Sequence, residues 1–225
     1  MDTPTVNVLS ICSGYGGIEL GLASVIPSRT VCYVEHEISV AAILAARMAD
    51  NALGPAPIWT DLSTFNPEPW RGKIHLLAGG FPCQPFSVAG KQLHGADSRE
   101  LSGEVLRIAA GLGHPALFLE NVPGILRFHF DSIRPRLQEM GYRIAEGLFS
   151  AAEVGAPHKR ERLFILAHRD GEPSDIFQRA ARTEPDRGIQ ELDDAQHNGR
   201  AGSQVPTSAR SRTPDGEAGT GDTEQ

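Results

Sequence analysis

Cys83 stands between Pro82 and Gln84 in "GGFPCQPFS", residues 79–87, just beyond an apolar run rather than inside one. A packing cysteine behaves as a small hydrophobe and belongs within such a run. "KIHLLAGG", residues 73–80, reads as a buried strand closed by glycines. The thiol is therefore offered at the carboxyl end of a strand, where open α/β sheets bind their ligands. A free thiol has a pKa of ~8.5 and must lose its proton to attack, which facing helix N-termini would favour. An inert structural cysteine is the commoner fate of this residue type. The polar, Gly-containing loop that follows, "SVAGKQLHGADSR", with Ser87 and Lys91 near its start, argues for chemistry instead.

Two further stretches supply acids and bases. "FLENVPG", residues 118–124, is an apolar strand that ends in Glu120 and Asn121, a placement that suits a general acid. Its plainer reading is a glutamate paired with a nearby arginine. In "PHKRERLFIL" the cations Lys159, Arg160 and Arg162 crowd the start of a strand. Period-two alternation puts Arg160 and Arg162 on one face with Glu161 opposite. Two guanidinium groups on one face suit a phosphate or a polarised carbonyl oxygen. A solvated edge accounts for Lys159 better than for the pair.

A third group points to a nucleotide. "SGYGG", Ser13 to Gly17, lies between a strand and a helix, where glycines let the backbone approach a ligand and the helix presents free N–H groups. Such turns also serve only to reverse the chain, so this one alone leaves both readings open. Glu35 follows about 20 residues later, where nucleotide-binding sheets place a carboxylate for the ribose hydroxyls. Asp61, after a third strand, is another acid at the same edge, placed to accept from an adenine amino group. Three elements in register favour an adenosine-containing cofactor over solvated acids.

These residues need a scaffold, and the chain alternates strand and helix patterns throughout. Strands are expected at "VNVLSI", "TVCYVEHE", "APIWTDL", "KIHLLAGG", "PALFLENV", "YRIAEGLFSAAEVG" and "RLFILAHR". Helices are expected at "IELGLASVI", the Ala-rich "ISVAAILAARMADNAL", "SRELSGEVLRIAAGLG" and "FDSIRPRLQEMG". The alternation predicts an α/β fold with a Rossmann-like, doubly wound, mostly parallel sheet. A short loop between the last two strands predicts that they run antiparallel. After His168 the pattern stops. Residues 169–225 carry twelve acidic and seven basic side chains and few large apolar groups. Such a segment buries too little to offset its ordering entropy, so a disordered polar tail is expected to follow a catalytic domain at 1–168.

The formal net charge is −7, concentrated in that tail, so it says little against a nucleic-acid partner. No apolar run approaches the roughly 18 residues of a membrane span, and the N-terminus is not a secretion signal. Three cysteines without zinc spacing point to a reduced setting. A soluble cytoplasmic protein without a metal site is expected.

In order, "SGYGG", "YVEHE", "TDL", "GGFPCQPFSVAGK", "DSR", "FLENVPG" and "PHKRERLF" resemble the successive motifs of the DNA (cytosine-5) methyltransferases. The resemblance covers about residues 6–168. It implies S-adenosylmethionine as cofactor, with Ser13, Gly14, Gly16, Gly17 and Pro82 around it, Glu35 on its ribose and Asp61 on its adenine. It implies that Cys83 attacks carbon-6 of a cytosine flipped out of double-stranded DNA, while Glu120 donates to ring nitrogen 3. Arg162 would contact the cytosine carbonyl oxygen. Arg160, Ser87, Lys91 and Arg99 would contact DNA, with residues 84–99 as a loop that closes over it. Cys12 and His158 stand where the family usually has an aromatic residue and a glutamine.

The family's target-recognition region and two closing motifs are not found after residue 168. The 225-residue chain is therefore expected to bind cofactor weakly and to methylate little. The resemblance further implies a monomer, and a cognate restriction endonuclease that does not form a stable complex with it. One rival is a truncated or inactive form that binds cofactor or DNA without turnover. A nicotinamide-dependent dehydrogenase is another. It leaves "FPCQPFS" unexplained and lacks a full G-x-G-x-x-G, because "GYGGIE" ends in Glu19.

Overall fold

A computed structural model describes residues 5–82 and 98–169. Seven strands form one sheet: β1 (Val6–Ile11), β2 (Ser28–Val34), β3 (Ile58–Trp59), β4 (Leu76–Gly79), β5 (Ala116–Asn121), β6 (Tyr142–Phe149) and β7 (Arg162–Arg169). Their spatial order is β3-β2-β1-β4-β5-β7-β6. The first five are parallel, and β7 runs antiparallel to both β5 and β6.

β1 and β4 lie at the centre and are buried on both faces, which is why they read as continuous apolar runs. Parallel neighbours need crossovers, and helices α1 (Gly17–Val25), α2 (Ile38–Ala49) and α3 (Ser98–Leu112) make them. On one face, Leu9, Ile11, Leu77, Leu117 and Leu119 pack with Val105, Ile108 and Leu112 of α3. On the other, Val6, Val8, Leu76 and Ala78 pack with Leu22 of α1 and Ile26 just beyond it. The winding thus changes side between β1 and β4, and a crevice opens beyond their carboxyl ends.

Several details differ from the sequence expectations. β2 stops at Val34, one residue before Glu35, and β3 is only two residues long. The sixth strand does not run to Gly155. It ends at Phe149, because Ser150 and Glu153 close a reciprocal capping box and Gly155 takes a left-handed conformation, φ 87°. The helix expected from residue 130 begins earlier, with α4 (Leu126–Phe128), continues as a π-helical stretch (His129–Ile133) and ends as α5 (Arg134–Glu139). Within it Arg134 pairs with Glu146 of β6 at 2.9 Å. Finally, β7 inserts between β5 and β6, so the antiparallel relation extends to β5 as well. β7 also runs one residue past the expected boundary at 168.

The register levels the strand ends. Ile11 pairs with Val34 and with Gly79, Gly79 with Leu119, and Leu119 with Ile165. Gly79 permits that closeness. A Cβ built there would stand 2.0 Å from the Ile11 carbonyl oxygen, a backbone atom that cannot move without the strand. Gly79→Ala is expected to destabilise the fold by about 1–3 kcal/mol, the usual scale of overpacking. Gly21→Ala, in α1 with open space around its Cβ, should be neutral or stabilising by up to about 1 kcal/mol. Denaturant midpoints for the two variants check the contrast.

Candidate active site

The loops that leave β1, β2, β3, β4 and β5, together with the start of β7, meet at one sheet edge. Beyond β1 the chain turns sharply: Cys12 and Gly14 have φ 47° and 56°, and Gly16 caps α1 at φ 77°. A side chain at 16 would also strike Leu53, whose Cδ1 lies 2.5 Å from where its Cβ would stand. Around Gly14 there is open space in the corresponding direction, which leaves room for a ligand against the backbone.

Glu35 organises this turn. Its Oε2 accepts from the Gly14 backbone N–H at 2.8 Å and its Oε1 from the Glu37 N–H at 2.9 Å. Each oxygen keeps further acceptor capacity. Glu35 is nearly buried, so the carboxylate is fixed beside the Gly-rich turn. Asp61 caps the short turn that follows β3, its Oδ1 accepting from the Ser63 N–H at 2.9 Å and hydroxyl at 2.7 Å. Those two hydrogen bonds hold its carboxyl below the ordinary aspartate range. An anionic Asp61 therefore faces the same edge as Glu35. Cys12 is half-buried, and burial, with the Glu35 charge second, pushes its thiol up to about 12.

Glu120 is paired with an arginine, as the plainer reading of its sequence position expects. It lies near the end of β5, and its Oε1 is 2.7 Å from the Arg162 Nε at the start of β7. Gly80 makes room for it: a Cβ there would lie 2.7 Å from Glu120 Oε2. Asn121, buried, donates from Nδ2 to the Phe81 carbonyl at 2.8 Å and accepts from the Val122 N–H at 2.9 Å. It thereby ties the end of β5 to the segment leading to Pro82. Pro82 itself is exposed.

Period-two alternation does not extend to Arg160. β7 begins at Arg162, and Arg160 precedes it, exposed and with φ 33°, so the two arginines are not consecutive members of one strand face. Cys83, Ser87 and Lys91, and the side chain of Arg99, lie outside the described residues.

One group in this region escapes motif reading. Buried Ser10 on β1 bonds to the Ser13 hydroxyl at 2.7 Å and to the carboxyl of Glu19 in α1. The sequence does carry a signal for Glu19. It occupies the stripe shared with Leu22 and Ile26, at i, i+3 and i+7, where an apolar residue belongs.

The fold and its edge define a methyltransferase-type α/β domain, with a Gly-rich turn and acid after the first two strands and an antiparallel seventh strand. The chain belongs to the C-5 cytosine-specific DNA methylase family, whose family model matches residues 6–215. It is 35% identical over 167 residues to the type II methyltransferase M.NaeI of Lentzea aerocolonigenes, covering 72% of this chain and 40% of that protein. Against M.NgoMIV of Neisseria gonorrhoeae it is 38% identical over 163 residues, 71% of this chain and 50% of that one. The solved structure of the S. pombe Dnmt2 methyltransferase shares the fold, with a TM-score of 0.60 at 23% identity, over 79% of this chain and 55% of that chain. The chain thus spans about half or less of the curated relatives named here.

The thiols differ in consequence. Burial raises Cys32 to about 11 and Cys12 to about 12, so neither offers much thiolate near neutrality. Iodoacetamide at pH 8 followed by peptide mapping is expected to leave both unmodified in the folded protein and to label both after denaturation.

Proposed function

We propose that this chain is the catalytic part of a DNA methyltransferase that transfers a methyl group to carbon-5 of a cytosine flipped out of double-stranded DNA. The observation that carries this reading is the ion pair of Glu120 and Arg162, held level with the Gly-rich turn and Glu35 at one sheet edge. Flipping is needed because a stacked cytosine hides the face that a nucleophile must reach.

The residues at the edge fit S-adenosylmethionine. Open space at Gly14, the fixed Glu35 carboxylate and the anionic Asp61 would hold its methionine end, ribose and adenine. When bound, it supplies an electrophilic methyl group on a sulfonium. The Cys83 thiolate would form a bond to carbon-6 of the cytosine. Glu120 would give a proton to ring nitrogen 3, which takes up the electron pair displaced through the ring. Carbon-5 then becomes the nucleophilic centre. Arg162, paired with Glu120, would orient that carboxyl and reach the cytosine carbonyl oxygen. Return of the nitrogen-3 proton to Glu120, loss of the carbon-5 proton to a solvent base and departure of the Cys83 thiolate would restore the ring. Arg160, Ser87, Lys91 and Arg99 are assigned to the DNA backbone, a sequence-independent role for which cations and hydroxyls suit.

With DNA that carries 5-fluorocytosine at the target, carbon-5 has no proton to lose, and the adduct should survive denaturation. Cys83→Ala should abolish that adduct, while Cys12→Ala and Cys32→Ala keep it. An adduct that persists in Cys83→Ala sinks the assignment. Cofactor binding without any adduct would instead favour a form that binds without turnover.

Glu120→Gln keeps the side chain's size but removes the carboxyl that would protonate ring nitrogen 3 and that pairs with Arg162. Methylation is expected to fall about 100- to 10,000-fold, the usual contribution of a positioned acid, with cofactor affinity nearly unchanged. Single-turnover kinetics and calorimetry on the same preparation separate the two effects.

A further inference from the structure

Four oxygen atoms run in a row beneath the Gly-rich turn: Glu19 Oε1, Ser10 Oγ, Ser13 Oγ and the Val34 carbonyl. Ser10 and Glu19 are in close contact, Ser10 and Ser13 are 2.7 Å apart, and Ser13 lies 3.4 Å from Val34 O. Ser10, Ser13 and Glu19 are all buried. The row links α1, β1 and β2 to the residue that opens the turn.

Proton counting, with the burial of Glu19, points to one state of this row. Three gaps need three protons. The Val34 carbonyl can only accept, and each serine hydroxyl carries one proton. An ionised Glu19 brings none, so two protons would serve three gaps and the long one from Ser13 to Val34 would be left without a proton. A neutral Glu19 supplies the third proton. Every gap is then filled in one direction: Glu19 to Ser10, Ser10 to Ser13, and Ser13 to Val34.

We infer that Glu19 is a neutral carboxylic acid that positions the cofactor turn through this hydroxyl relay, without touching the cofactor itself. Its surroundings agree. Among the described residues no cation pairs with it, and its Oε2 is buried without a partner. Burial raises its pKa, outweighing the charge-stabilising effect of the contacts with Ser10 and with its own backbone N–H in the first turn of α1. Tyr33, fully buried on β2, is the titratable neighbour that feels its charge, and Cys12 and Glu35 flank the turn above. Tyr33 is raised and Cys12 sits at about 12, so neither titrates before Glu19 does.

This inference rests on the reading that the Gly-rich turn holds S-adenosylmethionine, and calorimetry with that compound tests the two separately. No binding by the unaltered protein would overturn the cofactor reading. If it binds, Glu19→Gln should retain affinity, because the amide N–H donates to Ser10 where the acid O–H did. Glu19→Leu, similar in size but with no donor, should bind about 5- to 10-fold more weakly, the scale of one buried hydrogen bond. Ser10→Ala cuts the relay without altering the turn and should lose a similar factor, which covers the case of a poorly folded Leu variant. The pH profile distinguishes positioning from simple packing. A raised carboxyl is neutral at low pH, so affinity should be steady there and fall as pH climbs through the Glu19 titration. Glu19→Gln should lack that fall. Equal affinity for Glu19→Leu and Ser10→Ala to that of the unaltered protein, or the same pH profile in Glu19→Gln, would overturn the relay.

Discussion

Two consecutive positions without side chains, Gly79 and Gly80, set the geometry on which the strand-end edge depends. At Gly79 the backbone of β1 approaches so closely that a methyl group would fall far inside van der Waals contact with the Ile11 oxygen. At Gly80 the space a methyl group would take is occupied by the Glu120 carboxyl. The first brings the central strands into level register. The second leaves room beyond β4 for one oxygen of an acid from β5, whose other oxygen meets Arg162 of β7. The "GG" before Phe81 is therefore a steric requirement of two different neighbours, one backbone and one side chain.

Around that point the loops are tied to one another and to themselves by hydrogen bonds. Glu35 receives N–H groups from the turn after β1 and from its own loop, Asn121 grips the Phe81 carbonyl, and Asp61 closes its own turn. Each is one or two hydrogen bonds of modest net worth, about 1 kcal/mol apiece. Their value is positional. Groups already held near their working geometry lose less entropy when substrate arrives.

Much of this edge is legible in the sequence because it follows local rules. "SGYGG" between a strand and a helix, an acid about 20 residues later, and an apolar strand ending in Glu120 each have one common structural meaning, and the structure places all three at one edge. What stays hidden depends on hydrogen bonds and partners that strand propensity does not register. The short β3 gives way to a turn capped by Asp61, and β6 stops where Ser150 caps the next turn. Alternation puts Arg160 on a strand face, but the strand starts two residues later. Ser10 reads as part of a buried apolar run, and only its contact with Glu19 from another element shows it as a link in a polar row.

The insertion of β7 between β5 and β6 has a kinetic side. Glu120 and Arg162 are far apart in sequence, and they meet only when the β5–β7 ladder has formed in its native alignment. Contacts of that separation are late and slow, because loop closure must precede them. A slip of one residue would send Arg162 to the opposite face along with every other side chain of the strand. Leu163, Ile165 and Ala167, all buried, would then be driven out of the core. Correct pairing of the acid and the arginine is thus enforced by the same apolar residues that close the sheet, and a chain that folds in the wrong alignment is unstable before it is inactive.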